Sequence, residues 1–189
     1  YRRNQPEAAS LSAEGNQLVR PHSPIVGNTD APVTLVEFFD PSCEACRAFH
    51  PILNQMLERH PDDLRLVLRY TPLHEGSDEA VRILETARMQ DKLEPVLDAL
   101  LERQPQWAVH GMPRLDVAWQ VAGAAGLDLE RAESDRLFPG ITGILNQDMA
   151  DVEALGVGQT PTFFLNGTRL ENFSAESLVA AVRSAVENA

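Results

Sequence analysis

The stretch from Val33 to Tyr70 constrains this chain more than any other. Val33–Phe39 reads Val-Thr-Leu-Val-Glu-Phe-Phe, a nearly continuous run of β-favouring apolar residues, as a strand buried on both faces requires. Asp40-Pro41-Ser42 breaks the run. From Cys43 onward apolar residues recur at three and four positions: Cys46, Phe49, Leu53 and Leu57, widened by Ile52 and Met56. That spacing predicts an amphipathic helix, kinked by Pro51 and ended by Pro61. Leu64–Tyr70 predicts a second strand. Strand, helix and strand in this order make a βαβ unit with a right-handed crossover, so the chain is expected to be α/β. The first strand-to-helix turn carries Cys43-Glu44-Ala45-Cys46, the only two cysteines in 189 residues.

That placement gives the cysteines a chemistry. Disulfide exchange runs through the thiolate, and a free cysteine titrates about 1.5 units above neutrality. The amides and macrodipole of a helix N-terminus favour negative charge at Cys43. Three residues of spacing set Cys46 one turn along, within reach of a disulfide to Cys43. Cys46 also begins the apolar stripe and so lies deeper. The expected roles are attack by Cys43 and resolution by Cys46. A zinc site of Cys43, Cys46 and His50 would have only three ligands, with no second Cys-x-x-Cys and no paired histidines near by. No metal site is therefore expected, and an inert buried pair is the other plain alternative. His22, His50, His60, His74 and His110 are scattered, with no two spaced as ligands on one helix face.

Charge and hydropathy exclude some functions. The formal net charge is -12, which opposes a nucleic-acid role built on neutralising phosphates and docking on anionic membranes. No apolar run is long enough to span a bilayer. A chain that begins at Tyr1 is expected to be a fragment or a processed form whose signal or anchor is absent.

The remaining segments suggest four parts. Residues 1–17 are polar and expected to be a flexible tail. Residues 18–70 form the first part of the core, with an edge strand expected near Leu18–Arg20, since Pro21, Pro24 and Pro32 exclude a long helix. Residues 71–138 are expected to be helical: one helix from Ser77-Asp78-Glu79, one opened by Pro95, one opened by Pro113 and ending near Gly126, and a short one capped by Asp128. Pro139-Gly140 is expected to close this block. Within it Trp107, Met112 and Trp119 line a groove or fill the core, and core is the commoner fate of such residues. Residues 139–189 complete the core with a helix over Gly143–Leu155, a strand at Thr162–Leu165, an Asn166-Gly167 hairpin turn, a returning strand at Thr168–Leu170 and a helix capped by Ser174.

Two motifs together carry a family resemblance. Gly27 through Cys46 resembles the entry to the DsbA-like family of thioredoxin-fold oxidoreductases. Thr160-Pro161-Thr162-Phe163-Phe164-Leu165-Asn166-Gly167 resembles that family's cis-proline loop and hairpin. The resemblance covers about residues 18–187 and implies a thioredoxin-like fold with an inserted all-helical subdomain. It implies that Pro161 is the cis-proline facing the redox pair, although X-Pro bonds are cis only about 5% of the time. Such a loop leaves backbone free to pair with an extended substrate. Thr160 takes the preceding position, which in the family tunes redox behaviour and partner release. Glu37 resembles the family's buried acid, which moves a proton to or from the resolving cysteine. An ordinary loop threonine and a strand-end glutamate paired with an arginine are the structural alternatives for these two.

The dipeptide Glu44-Ala45 departs from the family's strong oxidants, which carry Pro-His there. Ala45 cannot stabilise a thiolate, and Glu44 brings a like charge towards Cys43. At about 6 Å that repulsion is on the order of 1 kcal/mol. The resemblance implies exchange with extracytoplasmic protein substrates bearing thiols or disulfides, in the disulfide-forming direction. It further implies a monomer in the periplasm or at the outer face of the cytoplasmic membrane, recharged by a membrane quinone-linked partner, with no cofactor. Two alternatives stand beside it. One is a thiol reductase or isomerase of the same fold; the other is a non-enzymatic protein holding copper or zinc on the same two thiols.

Overall fold

A computed structural model describes residues 17–189. The expected tail over residues 1–17 falls outside the described residues except for its last position. In chain order the elements are β1 (Ile25–Gly27), β2 (Val33–Phe39), α1 (Glu44–Arg59), β3 (Leu64–Tyr70), α2 (Ser77–Met89), α3 (Leu93–Glu102), α4 (Gln104–Trp107), α5 (Leu115–Ala124), α6 (Leu129–Asp135), α7 (Pro139–Ala154), β4 (Thr162–Leu165), β5 (Thr168–Arg169) and α8 (Ala175–Glu187). The βαβ expectation therefore stands as β2–α1–β3, with Pro51 inside α1.

The chain divides into two compact units. The first takes residues up to Phe38, Ile52–Arg69 and Asp151–Ala189. It holds the body of a five-stranded sheet in the order β1-β3-β2-β4-β5. β1 runs antiparallel to β3, β4 to β2, and β5 to β4. β2 is buried from end to end, apart from a half-buried Thr34, because it lies inside the sheet between β3 and β4. The hairpin turn has both Asn166 and Gly167 at positive φ, 48° and 89°, the conformation a type I′ turn demands and Asn-Gly tolerates. Ser174 caps α8 through a reciprocal box with Ser177. A buried ion cluster also lies here: Asp151 receives Arg20 Nε and Arg69 Nη2, at 2.9 and 2.5 Å.

The edge strand differs from expectation. Residues 17–18 are helical, and the strand is Ile25–Gly27. Pro21 and Pro24 leave Ile25–Gly27 as the first apolar stretch that can offer its N–H groups to β3. Leu18 instead fills the core at 2% exposure.

The second unit comprises Phe39–Pro51 and Tyr70–Ala150. α2 packs on α3, α5 and α6, and α5 also packs on α3 and α4. Asp128 caps α6 by accepting the Arg131 N–H at 3.1 Å. Two prolines act differently from expectation. Pro113 lies outside α5, ahead of its Arg114 cap. Its ring fills the space beside Gly76, where a Cβ would meet Pro113 Cγ at 2.8 Å; Gly76 also sits at φ 83°, so glycine is required there. Pro139 opens α7 rather than closing the block, because a proline at the first helical position sacrifices no intrahelical hydrogen bond. Trp107 is core, fully buried, with its Nε1–H donated to Leu100 O at 2.8 Å.

Candidate functional site

The Asp40-Pro41-Ser42 break ends β2 and turns the chain into α1 with Cys43 at its threshold. The turn is pinned by hydrogen bonds. The Cys43 N–H donates to Asp40 O at 3.0 Å. The Cys43 carbonyl accepts from Arg47 N at 3.1 Å and from Gln104 Nε2 at 2.8 Å, and the same Gln104 amide donates to Pro41 O. Gln104 is buried on α4 and so holds the backbone of Cys43 from the helical segment.

The two thiols differ in exposure. Cys43 retains 9% and Cys46 1%, the order the apolar stripe of α1 requires. The Asp40 N–H points at Cys46 Sγ, 3.5 Å away. Glu44 and Ala45 are both exposed, so the dipeptide faces solvent. Glu44 Oε1 lies 3.8 Å from His110 Nε2.

Asp40 organises the rest. It is fully buried, and its Oδ1 accepts from Ser42 N at 2.9 Å and Ser77 Oγ at 2.6 Å. Its Oδ2 accepts from Leu73 N at 2.9 Å, His74 N at 3.1 Å and His74 Nδ1 at 2.6 Å. The Asp40 hydrogen bond holds the His74 pKa above the ordinary imidazole value; partial burial opposes it, and the negative charges of Asp40, Cys43 and Glu44 add to it. The His74 and His110 rings lie 5.2 Å apart. None of Asp40, His74, Ser77 or Gln104 stood out in the sequence as a site residue. Asp40 has the look of a strand breaker, and His74 follows it 34 positions later with no local pattern linking them.

Glu37, Thr160 and Pro161 belong to the other unit. Glu37 is 4% exposed on β2, opposite Phe163 of β4, so it is not at an exposed strand end. The Thr160–Pro161 peptide bond is cis. Pro161 is buried, and the next residue, Thr162, pairs with Phe38 near the end of β2. His50 is engaged elsewhere, with Nε2 2.5 Å from Asp98 Oδ1. Among the described residues no three His, Cys, Asp or Glu side chains are placed to hold a metal ion. Also among them, no helix is long and apolar enough to cross a membrane.

Comparison with known proteins gives this geometry a lineage. A family model described as thioredoxin matches residues 20–184. A thioredoxin-like oxidoreductase from Silicibacter pomeroyi DSS-3 shares 31% identity and a TM-score of 0.79, over 92% of this chain and 98% of that one. Wolbachia pipientis alpha-DsbA1 shares 16% identity, with a TM-score of 0.80 over 93% of this chain and 96% of that one, a likeness of fold. A Na(+)/H(+) antiporter NhaA of Herminiimonas arsenicoxydans is 34% identical over 161 residues, which are 85% of this chain and 25% of the antiporter. The chain spans about a quarter of the length of such antiporters, 24 to 28% of each. A thioredoxin-like fold with a helical insertion, matched by the family model over residues 20–184 and entered through a Cys-x-x-Cys helix start, places this chain in the thioredoxin family.

Proposed function

We propose that Cys43-Glu44-Ala45-Cys46 is the redox centre, with Cys43 as attacking thiol and Cys46 as resolving thiol, and that the protein forms disulfides in extracytoplasmic proteins. The observation that carries this reading is the asymmetry of the pair. Cys43 stands at the start of α1 with its backbone pinned on both sides, while Cys46 is sealed one turn below at 1% exposure. A sealed resolving thiol meets only the mixed disulfide formed by its neighbour.

Glu37 is proposed as the proton relay for Cys46, and the backbone around Thr160 and Pro161 as the strand that pairs with an extended substrate. The helical segment 71–138 is proposed as an insertion that furnishes the partners of the redox turn, as Gln104 and His74 do. The family resemblance supports a place in the periplasm or at the outer face of the cytoplasmic membrane, and a quinone-linked membrane partner that reoxidises the pair. Ion exchange, for which the antiporters are named, is not proposed for a chain that spans about a quarter of them.

Equilibration with glutathione tests the direction. The expected reduction potential is more negative than about −120 mV, because Ala45 offers no thiolate stabilisation, and less negative than about −270 mV. A value at or below about −270 mV makes the protein a reductase and overturns the disulfide-forming reading. In the reduced protein the thiolate absorbance of Cys43 should rise with a midpoint clearly above about 3.5. A midpoint near that figure would remove Glu44 and Ala45 from any part in tuning the site.

A further inference from the structure

Ala45 leaves the dipeptide without a group to stabilise a Cys43 thiolate, but Asp40 brings one from elsewhere. The carbonyl of Asp40 accepts the Cys43 N–H at 3.0 Å, and its carboxylate accepts His74 Nδ1 at 2.6 Å and the His74 backbone N–H at 3.1 Å. One fully buried aspartate therefore fixes both the backbone of the attacking cysteine and an imidazole from the loop before α2. With Nδ1 donated to the carboxylate, Nε2 is left on the far side of the ring. The ring is 38% exposed. It borders a cavity of about 70 Å³ together with Ser42, the residue before Cys43, and His110.

We propose that His74 is a positioning residue of the exchange reaction: seated on Asp40, it holds an imidazolium beside Cys43 and stabilises the sulfur whenever Cys43 departs as thiolate. The proposal rests on the reading of Cys43 as the attacking thiol. The groups facing His74 are mostly acidic: Asp40, Cys43 and Glu44 favour its charged form, and Glu75 lines the same cavity. His110 opposes them when protonated, and its own neighbour is Glu44 at 3.8 Å.

The step concerned is the last one of disulfide formation. A substrate thiolate first attacks Cys43 of the Cys43–Cys46 disulfide. A substrate–Cys43 disulfide forms, and the electron pair of the broken S–S bond goes to Cys46. A second substrate thiolate then attacks the substrate sulfur. The substrate disulfide forms, and Cys43 leaves with the electron pair. Two electrons pass from the substrate to the protein, and the two thiol protons of the substrate are balanced by those of the reduced pair. A cation at Cys43 favours this departure and the reduced form that results.

The test compares wild type, His74→Gln and His74→Lys. In the reduced proteins, His74→Gln should raise the midpoint of the Cys43 thiolate absorbance by about half a unit to one unit. It should shift the glutathione equilibrium towards the protein disulfide by roughly three- to tenfold, tenfold being about 30 mV more reducing. His74→Lys should recover most of both shifts. Because coupling is reciprocal, the imidazole of His74 in the wild type should titrate higher in the dithiol than in the disulfide state, as read by NMR. This arm decides alone if the glutamine variant does not fold. An unmoved Cys43 midpoint, no recovery by lysine, or identical His74 titration in the two redox states overturns the proposal. Exchange lost in Cys43→Ser with these arms negative rejects His74 only; exchange retained in Cys43→Ser rejects the parent reading.

Discussion

Cys43→Ser is expected to lower the rate of disulfide exchange by on the order of 10³-fold or more, since the reaction needs a thiolate and a serine hydroxyl is not ionised near neutral pH. Cys46→Ser should behave differently. Cys43 still attacks a substrate disulfide and releases one substrate thiolate, but the sealed resolving sulfur is gone, so a mixed disulfide between Cys43 and substrate accumulates instead of turning over. Mass analysis of alkylated reaction mixtures with a small disulfide distinguishes the two. A covalent adduct in Cys46→Ser and none in Cys43→Ser is the expected pattern. The reverse pattern would exchange the roles, and it would contradict the exposures of 9% and 1% from which the roles were argued.

What the sequence shows and what it conceals divide along a physical line. β2, α1 and β3 are legible because burial and periodicity write them into consecutive residues. The hairpin is legible because few pairs other than Asn166-Gly167 accept two positive φ angles in a row. β1 is not, because three residues beside two prolines form an edge only through their partner β3. Pro139 misleads because the residue that forbids a helix interior is favoured at a helix start. The cysteines are legible as a pair, since the spacing that closes a disulfide is local. Their surroundings are not. Asp40 meets His74 and Ser77 across 34 and 37 positions, and Gln104 reaches Cys43 across 61. Such contacts belong to tertiary packing, and no periodicity announces them. The functional consequence is specific: the dipeptide between the cysteines lacks a cation, while the loop before α2 supplies an imidazole that a reading of the motif alone misses.

Asp151→Ala should be the most damaging single change away from the proposed redox centre. Arg69 is fully buried, and its guanidinium is held by Asp151, by the carbonyls of Gln17 and Leu18, and against the face of Phe38 at 5.1 Å. Removing the carboxylate strands a buried cation, which costs about 3–5 kcal/mol. In a chain of this size that lowers the melting temperature by roughly 10 °C. Arg69→Met alone should also destabilise, though less, because the half-exposed Arg20 at 27% still engages Asp151. Arg69→Met combined with Asp151→Leu should recover most of the loss, since an apolar pair of similar volume replaces a buried ion pair at little net cost. Thermal unfolding of the four proteins separates these outcomes, and additive losses in the double variant would show that packing, not charge, is what Asp151 contributes. The pH dependence gives an independent check. Burial pushes the Asp151 carboxyl up, but hydrogen bonds from Arg20 and Arg69, reinforced by their charges, outweigh it and leave the pKa below the usual carboxylate value. A carboxyl lowered on folding contributes stability that is fully present above its unfolded pKa of about 3.9 and is lost as pH falls through the lowered folded value. Wild type should therefore lose stability on acidification below about pH 4 more steeply than Asp151→Ala, which no longer carries that contribution. Parallel acid limbs for the two proteins would mean that the Arg20–Asp151–Arg69 cluster is not where this part of the stability resides.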